Sequence, residues 1–352
     1  MRVLVTGTEG YIGARLAPWL TARGHEVVGL DTGFYRDGTL YLDPLGLPQS
    51  PRTIYKDLRT VTAADFEGID AVVHLAELSN DPLGQNRPDI TFNINHLGSV
   101  RIAQAAREAG VRRLVYASSC SVYGVGATDF VDETSPVNPQ TAYAQCKTLV
   151  ERDLKPMADR SFSVVFLRNA TAYGPSPRMR FDIVLNDLCA LAWTKKKIAM
   201  TSDGSAWRPI VHIEDISRAF VSVLKADPDV VHNEAFNIGA PGENYRVRQI
   251  AEMVRDVVPN SELRFAEGAA ADTRCYCVNF DKAMSKLKHF HPQWTARKGV
   301  EECYDAYKKY GVTLEEFEGP KYQRLAHIRK LIAEGAITKD LKFIQAEPAL
   351  AS

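Results

Sequence analysis

Tyr143 and Lys147 stand four residues apart in Thr141-Ala-Tyr-Ala-Gln-Cys-Lys147, and the chain opens on Gly7-x-x-Gly10-x-x-Gly13 directly after an apolar run. Residues four apart share one face of a helix, so the Lys147 ammonium can stand beside the Tyr143 hydroxyl and favour its phenolate. A phenolate poised near neutral pH can take the proton of a sugar alcohol as hydride leaves the same carbon. Alone, Tyr-x-x-x-Lys is short enough to be two unrelated residues on an amphipathic helix. Joined to a nucleotide-binding amino terminus, it makes the chain an enzyme candidate.

Those side chains need elements to hold them. Residues 2–6 form an apolar run of strand type, followed by the glycine turn, a helical pattern over 11–23 closed by Gly24, and a second apolar run over 26–30. This is a β-α-β unit of about 30 residues. Pro18 falls inside the helix, where a proline removes a backbone bond at a cost of about 3 kcal/mol, so a bend is expected. Strands are expected at 53–56, 71–75, 113–118 and 163–168, with helices at 92–109 and 139–157. That alternation predicts a parallel sheet covered on both faces. Stretches 209–224 and 235–238 read as a return of the chain to the sheet.

The first glycine permits a tight turn, the second lets backbone approach a pyrophosphate, and the third lets helix and strand pack closely. The helix start, with Tyr11 and Ile12, then offers free amides to phosphates. Asp31 ends the second strand about 20 residues on, where a carboxylate accepts bonds from adenosine ribose hydroxyls. It would repel a ribose 2′-phosphate, and no Arg follows at once in Asp31-Thr-Gly-Phe-Tyr. NAD is therefore favoured over NADP. Asp57 and Leu58 after the third strand, and Leu75 and Ala76 after the fourth, fall where loops at the carboxyl edge reach adenine and ribose.

Charge excludes some partners. Lys plus Arg number 43 and Asp plus Glu 43 in 352 residues, so no net field recruits nucleic acid or an anionic membrane. No apolar run approaches the roughly 18 residues of a membrane span, and residues 1–5 read as a strand rather than a signal peptide. The six cysteines are scattered, which suits reduced thiols and a cytoplasmic compartment. Cys275-x-Cys277 has no second pair or His cluster beside it, so no metal is expected.

Taken in order, Gly7-x-x-Gly10-x-x-Gly13, Asp31, His74-Leu-Ala76, Asn93-x-Asn95-x-x-Gly98, Ala117-Ser-Ser-Cys-Ser-Val-Tyr-Gly124, Tyr143-x-x-x-Lys147 and Tyr173-Gly-Pro175 resemble the extended short-chain dehydrogenase/reductases. Within them the likeness is to the nucleotide-sugar epimerase and dehydratase group. It implies a Rossmann-type doubly wound parallel sheet over 1–175 with a return segment at 209–238. A smaller interleaved α/β substrate lobe would comprise 176–208 and 239–345, and 346–352 would be a frayed tail.

Carried over by position, the resemblance makes Ser119 the residue that hydrogen-bonds the oxygen being oxidised, Tyr143 the base, and Lys147 the ligand of the nicotinamide ribose. It adds Asn95 to the cofactor's contacts. It makes Arg208 and Arg274 diphosphate-binding arginines, which suits a neutral protein that must hold an anion by bidentate local contacts; a surface salt bridge is the plainer reading. Ser121, Asn169, Arg178, Arg180 and Asn186 are further substrate candidates, although a solvated charged turn would account for the arginines of the 176–186 stretch. His212 and Asp215 are expected to be structural.

Departures from the family narrow the chemistry. The two acids that follow the catalytic Ser or Thr in 4,6-dehydratases are here Cys120 and Ser121. Without them water elimination loses its proton carrier, and Cys120 reads as a core residue before a thiol base. The expectation is an NAD-dependent nucleotide-diphosphate-sugar 4-epimerase, with a ketoreductase or dehydrogenase on the same substrates as the alternative. A 4,6-dehydratase and a non-catalytic NAD-binding regulator rank lower. Helices near Asn93 and Pro139 would build a homodimer. A tail helix over 320–341, with Tyr322, Leu325, Ile328, Leu331 and Ile332 on one side, is expected to pack rather than do chemistry.

Overall fold

Side chains alternate along a strand, so one apolar strand feeds two cores. Val3, Val5, Val73, Val115 and Val165 enter one cluster, while Leu4, Val72, Leu114, Val164 and Phe166 enter another on the opposite face. The computed structural model describes residues 1–41, 51–79, 81–125, 130–265 and 275–344. Seven parallel strands make the main sheet. From edge to edge they run Ala235–Ile238, Ser163–Asn169, Arg113–Ser119, Ala71–His74, Arg2–Thr6, Glu26–Asp31 and Thr53–Tyr55.

The first strand in sequence lies between the second and the fourth, with Thr6 in register with both Leu30 and His74. Chain connections therefore diverge on either side of it. They open a crevice at the carboxyl ends of the strands, where ligands bind in sheets of this kind. In the other half, Ser119 pairs in register with Asn169.

Helices Gly13–Thr21 and Ile213–Lys225 cover one face; Ser99–Glu108 and Ala142–Leu154 cover the other. Pro18 sits inside the first of these, as its sequence requires. The helix expected from 92 begins earlier, at Pro88–Thr91, and runs through a π-type stretch, Phe92–Gly98. The Leu58 side chain packs onto Gly98, where a Cβ would stand 1.9 Å from Leu58 Cδ1.

Of the expected return to the sheet, Ala235–Ile238 joins it and helix Ile213–Lys225 packs on it. Trp207–His212 instead pairs with Thr171–Tyr173 and Asn244–Arg246 in a separate three-stranded sheet. A third apolar cluster gathers helices Val184–Lys195, Val247–Val257 and Ala296–Lys309 into the smaller lobe. The expected tail at 346–352 lies outside the described residues.

Candidate active site

Helix Ala142–Leu154 starts where the Thr141 side chain accepts the Ala144 amide at 3.2 Å. Tyr143, Lys147 and Glu151 then recur every fourth residue and share the face toward the sheet. Glu151 fixes the helix: its carboxylate accepts from Arg168 Nη2 at 2.7 Å, and its Oε1 accepts from Ser118 Oγ at 2.5 Å. Both members of that ion pair are 6% exposed. A buried pair with this geometry registers the helix against two neighbouring strands.

One turn earlier, Lys147 points into a cleft of about 850 Å³, at the large end of the size range of ligand pockets. Its Nζ lies 2.6 Å from Glu77 Oε2, donates to Ala117 O, and stands 5.3 Å from the centre of the Tyr143 ring. Burial opposes the ammonium, but the Glu77 carboxylate and Tyr143 more than offset it, so the lysine pKa is raised. Glu77 also accepts from Tyr116 Oη at 2.5 Å, while burial pushes its own pKa up. Ser119 lines the same cleft at the end of its strand, its Oγ accepting the Ser121 amide at 3.1 Å.

At the opposite end, Gly7 has φ +76° and a Cβ there would press on the Ala76 backbone at 3.0 Å. A Cβ on Gly13 would stand 2.0 Å from Gly7 O, so backbone and helix meet as they do because both residues lack side chains. Helix Gly13–Thr21 has no side-chain cap at its amino end; its Ala14, Arg15 and Leu16 amides donate to the carbonyls of Gly10 and Ile12, so amides for a phosphate have to come from the turn that precedes them. Asp31 accepts the Glu9 amide at 2.9 Å and the Gly33 amide at 2.8 Å, yet burial still pushes its carboxyl up to about 6.

The remaining predicted residues divide by location. Gly10, Tyr11, Ile12, Asp57, Leu58, Leu75 and Ala76 line the cleft. So do Ser121, Asn169, Arg180 and Arg208. Ser121 Oγ and Asn169 Oδ1 are buried with no hydrogen-bond partner among the described residues. Such orphaned acceptors in a cleft floor mark where a polar ligand can bind. Arg180 donates to Asp182 at 2.8 Å and to Ser79 at 3.2 Å.

Three expectations are corrected by placement. Asn95 does not line the cleft: it is fully buried, accepts the Leu78 amide at 2.8 Å and donates to Leu78 O at 3.0 Å, so it holds the loop after the fourth strand. Asn186, also fully buried, donates to Arg180 O at 3.0 Å and accepts the Gly174 amide at 3.0 Å, joining backbone segments beneath the site. Arg178 pairs with Glu9 at 2.5 Å, donates to Thr39 Oγ1 and does not line the cleft. The Arg274 expectation lies outside the described residues.

Cys120 is 1% exposed, and its thiol donates to Arg168 O at 3.1 Å while burial raises its pKa. It is a core thiol rather than a base. His212, paired with Glu302 at 2.7 Å, and Asp215, which accepts the Gln293 and Trp294 amides, are structural. Sequence reasoning missed Glu77, although a carboxylate directly after His74-Leu-Ala76 at a strand's carboxyl end was a signal. It also missed Tyr35 and Arg324, which line the cleft from distant segments.

The chain matches the NAD dependent epimerase/dehydratase family over residues 3–239. It is 32% identical over 320 residues to the UDP-glucose 4-epimerase of Mycolicibacterium smegmatis, covering 88% of this chain and 99% of that one. To the dTDP-D-glucose 4,6-dehydratase of Mus musculus it is 29% identical over 321 residues, covering 88% and 89%. Among solved structures, MoeE5 in complex with UDP-glucuronic acid and NAD aligns with a TM-score of 0.76 at 28% identity, covering 88% of this chain and 99% of that one.

Proposed function

The chain belongs to the NAD dependent epimerase/dehydratase family, and from that premise we propose that it is an NAD-dependent nucleotide-diphosphate-sugar 4-epimerase. The observation that carries this reading is the meeting of Ser119, Tyr143 and Lys147 with the glycine turn and Asp31 in one cleft. The residues fit NAD: the turn closes tightly because Gly7 and Gly13 carry no Cβ to strike its backbone, no side chain caps the helix start, and a carboxylate stands at the adenosine end. When bound, NAD accepts a hydride from the sugar C4 and returns it.

This chain's own residues move the proton. Tyr143 Oη takes it from the C4 hydroxyl and, once the 4-keto sugar presents its other face, gives it back. Lys147 keeps its ammonium beside that ring and favours the phenolate. Ser119 Oγ donates to the C4 oxygen and steadies the charge it gains. Ser121 Oγ and Asn169 Oδ1 supply polar contacts on the cleft floor, and Arg180 and Arg208 bring positive charge to the substrate's diphosphate. Burial of Cys120 supports epimerisation over 4,6-elimination, since no acid follows Ser119.

A second copy of the chain completes the reading. By the family resemblance a homodimer would form through helix Ala142–Leu154 and the Phe92–Gly98 stretch, which the His96–Asp153 pair joins and where Leu97 is 56% exposed. All six cysteines are free, as suits a cytoplasmic enzyme. No helix among the described residues is long and apolar enough to cross a membrane.

The test is to incubate the purified protein, without added cofactor, with UDP-, dTDP-, GDP- and CDP-hexoses and follow the C4 configuration by NMR. Interconversion of C4 epimers with no net change in nicotinamide absorbance is expected. Stoichiometric consumption of added NAD or NADH would replace this reading by a dehydrogenase or ketoreductase.

A further inference from the structure

Beyond the family match, residues 321–343 cross back over the carboxyl edge of the sheet. His327 Nε2 donates to Phe34 O at 2.6 Å, and the rings of Phe34 and Phe343 stand 5.3 Å apart. Arg59 donates to the carbonyls of Asp340 and Leu341, both at 2.9 Å. A Cβ on Gly38 would meet Lys321 O at 2.8 Å, so the segment lies directly on that loop. It is thus tied to the connections that follow the second and third strands, which form the adenosine half of the cleft.

From this segment Arg324 enters the cleft. It is 4% exposed, with its guanidinium 3.8 Å from the centre of the Tyr35 ring. No hydrogen bond or ion pair joins it to any described residue. Among the described residues, then, none accepts from the five N–H donors of this cation, and such burial is costly unless a ligand supplies an acceptor. Asp31, Arg180 and Asp182 are the charged groups that act on it electrostatically. It lines the same cleft as Asp31, Arg180 and the glycine turn.

We propose that residues 321–343 form a fixed roof over the adenosine half of the cleft and that Arg324 is an anion contact for the dinucleotide's diphosphate, holding it from above while the glycine turn holds it from below. The inference deepens the epimerase reading and rests on it in one respect: retention of the cofactor between turnovers. A planar fork suits two diphosphate oxygens, and the Tyr35 ring fixes its plane.

The experiment uses full-length protein freed of nucleotide, with the Arg324→Ala and Arg324→Lys variants, and titrates NAD, NADP, ADP and adenosine by calorimetry. Arg324→Ala should weaken NAD and ADP about ten- to hundredfold, as expected for a hydrogen bond to a charged group, and leave adenosine unchanged. Arg324→Lys should fall between, keeping the charge but not the fork. The melting temperature of the ligand-free protein should not drop. If Arg324→Ala does not fold, the same ligand series on Arg324→Lys decides the question. NAD and ADP affinities within twofold of wild type would overturn the proposal. So would equal weakening of adenosine, which would assign the effect to roof packing, or tighter binding of NADP than NAD, which would assign the contact to a 2′-phosphate. Absence of C4 epimerisation alongside a selective loss of diphosphate affinity would sink the epimerase reading and leave this one standing.

Discussion

The two halves of the cleft differ in where a buried charge finds its partner. In the reacting half, charges answer one another within the chain: Lys147 with Glu77, and Glu151 with Arg168. Burial opposes the lysine's charge, but its carboxylate partner leaves its pKa raised. In the adenosine half, burial prevails: it pushes Asp31 up to about 6 and Arg324 down to about 10, both toward their neutral forms. The reacting half is preorganised for proton transfer before any ligand arrives. In the adenosine half Asp31 and Arg324 have as partners, among the described residues, backbone amides and an aromatic ring, so a ligand's hydroxyls and phosphates complete them.

Four substitutions break or sharpen that contrast. Tyr143→Phe removes the proton carrier and should lower kcat by about 10² to 10⁴-fold in a steady-state assay, with NAD affinity by calorimetry unchanged. A rate within tenfold of wild type would show that the base lies elsewhere. Glu151→Gln strands the buried Arg168 guanidinium and should cost about 3–5 kcal/mol of stability in denaturant unfolding. A loss below about 1 kcal/mol would mean that the pair does not anchor the catalytic helix.

Glu77→Gln has a smaller and signed effect. It leaves the Lys147 charge unopposed, so the Tyr143 phenolate gains stabilisation, and the acid limb of the kcat–pH profile should move to lower pH by on the order of one unit. A limb that stays in place or moves upward would remove Glu77 from the tuning of the base. Asp31→Asn is read on stability alone. The folded carboxyl keeps its proton up to about pH 6, above its ordinary value of 3.8, so the ligand-free folded state binds more protons than the unfolded state in that window. Stability therefore declines as pH rises from about 4 to about 6. Melting curves of ligand-free Asp31→Asn should lack that decline, and an unchanged slope would show that Asp31 is not the group responsible.

Much of the site was legible because its signals are local. Tyr143 and Lys147 are joined by helical spacing, Gly7 to Gly13 by a single turn, and Asp31 by its place at a strand end. Ser119 and Asn169 each fall just past an expected strand, and it was comparison with the family's pattern that singled them out. The arginines were not separable in this way. Arg178 and Arg180 are neighbours of the same charge, yet one pairs with Glu9 and Thr39 and the other lines the cleft. Spacing on an irregular segment carries no period from which a direction can be read. Asn95 and Asn186 failed as ligand contacts for another reason: a polar side chain at full burial is as well satisfied by neighbouring backbone as by a ligand.

The sequence by itself determined the sheet, the crevice beside its first strand and the proton-transfer pair, because strand alternation, glycine sterics and helical periodicity act within a few residues of chain. The tertiary structure alone decided that Glu77 meets Lys147, and that a segment some 290 residues after Asp31 brings Arg324 to the same cleft. Contacts of that reach depend on where the chain returns, and local propensity does not encode the return: it is set by burying the apolar side of 321–343 against loops that the sheet has already placed.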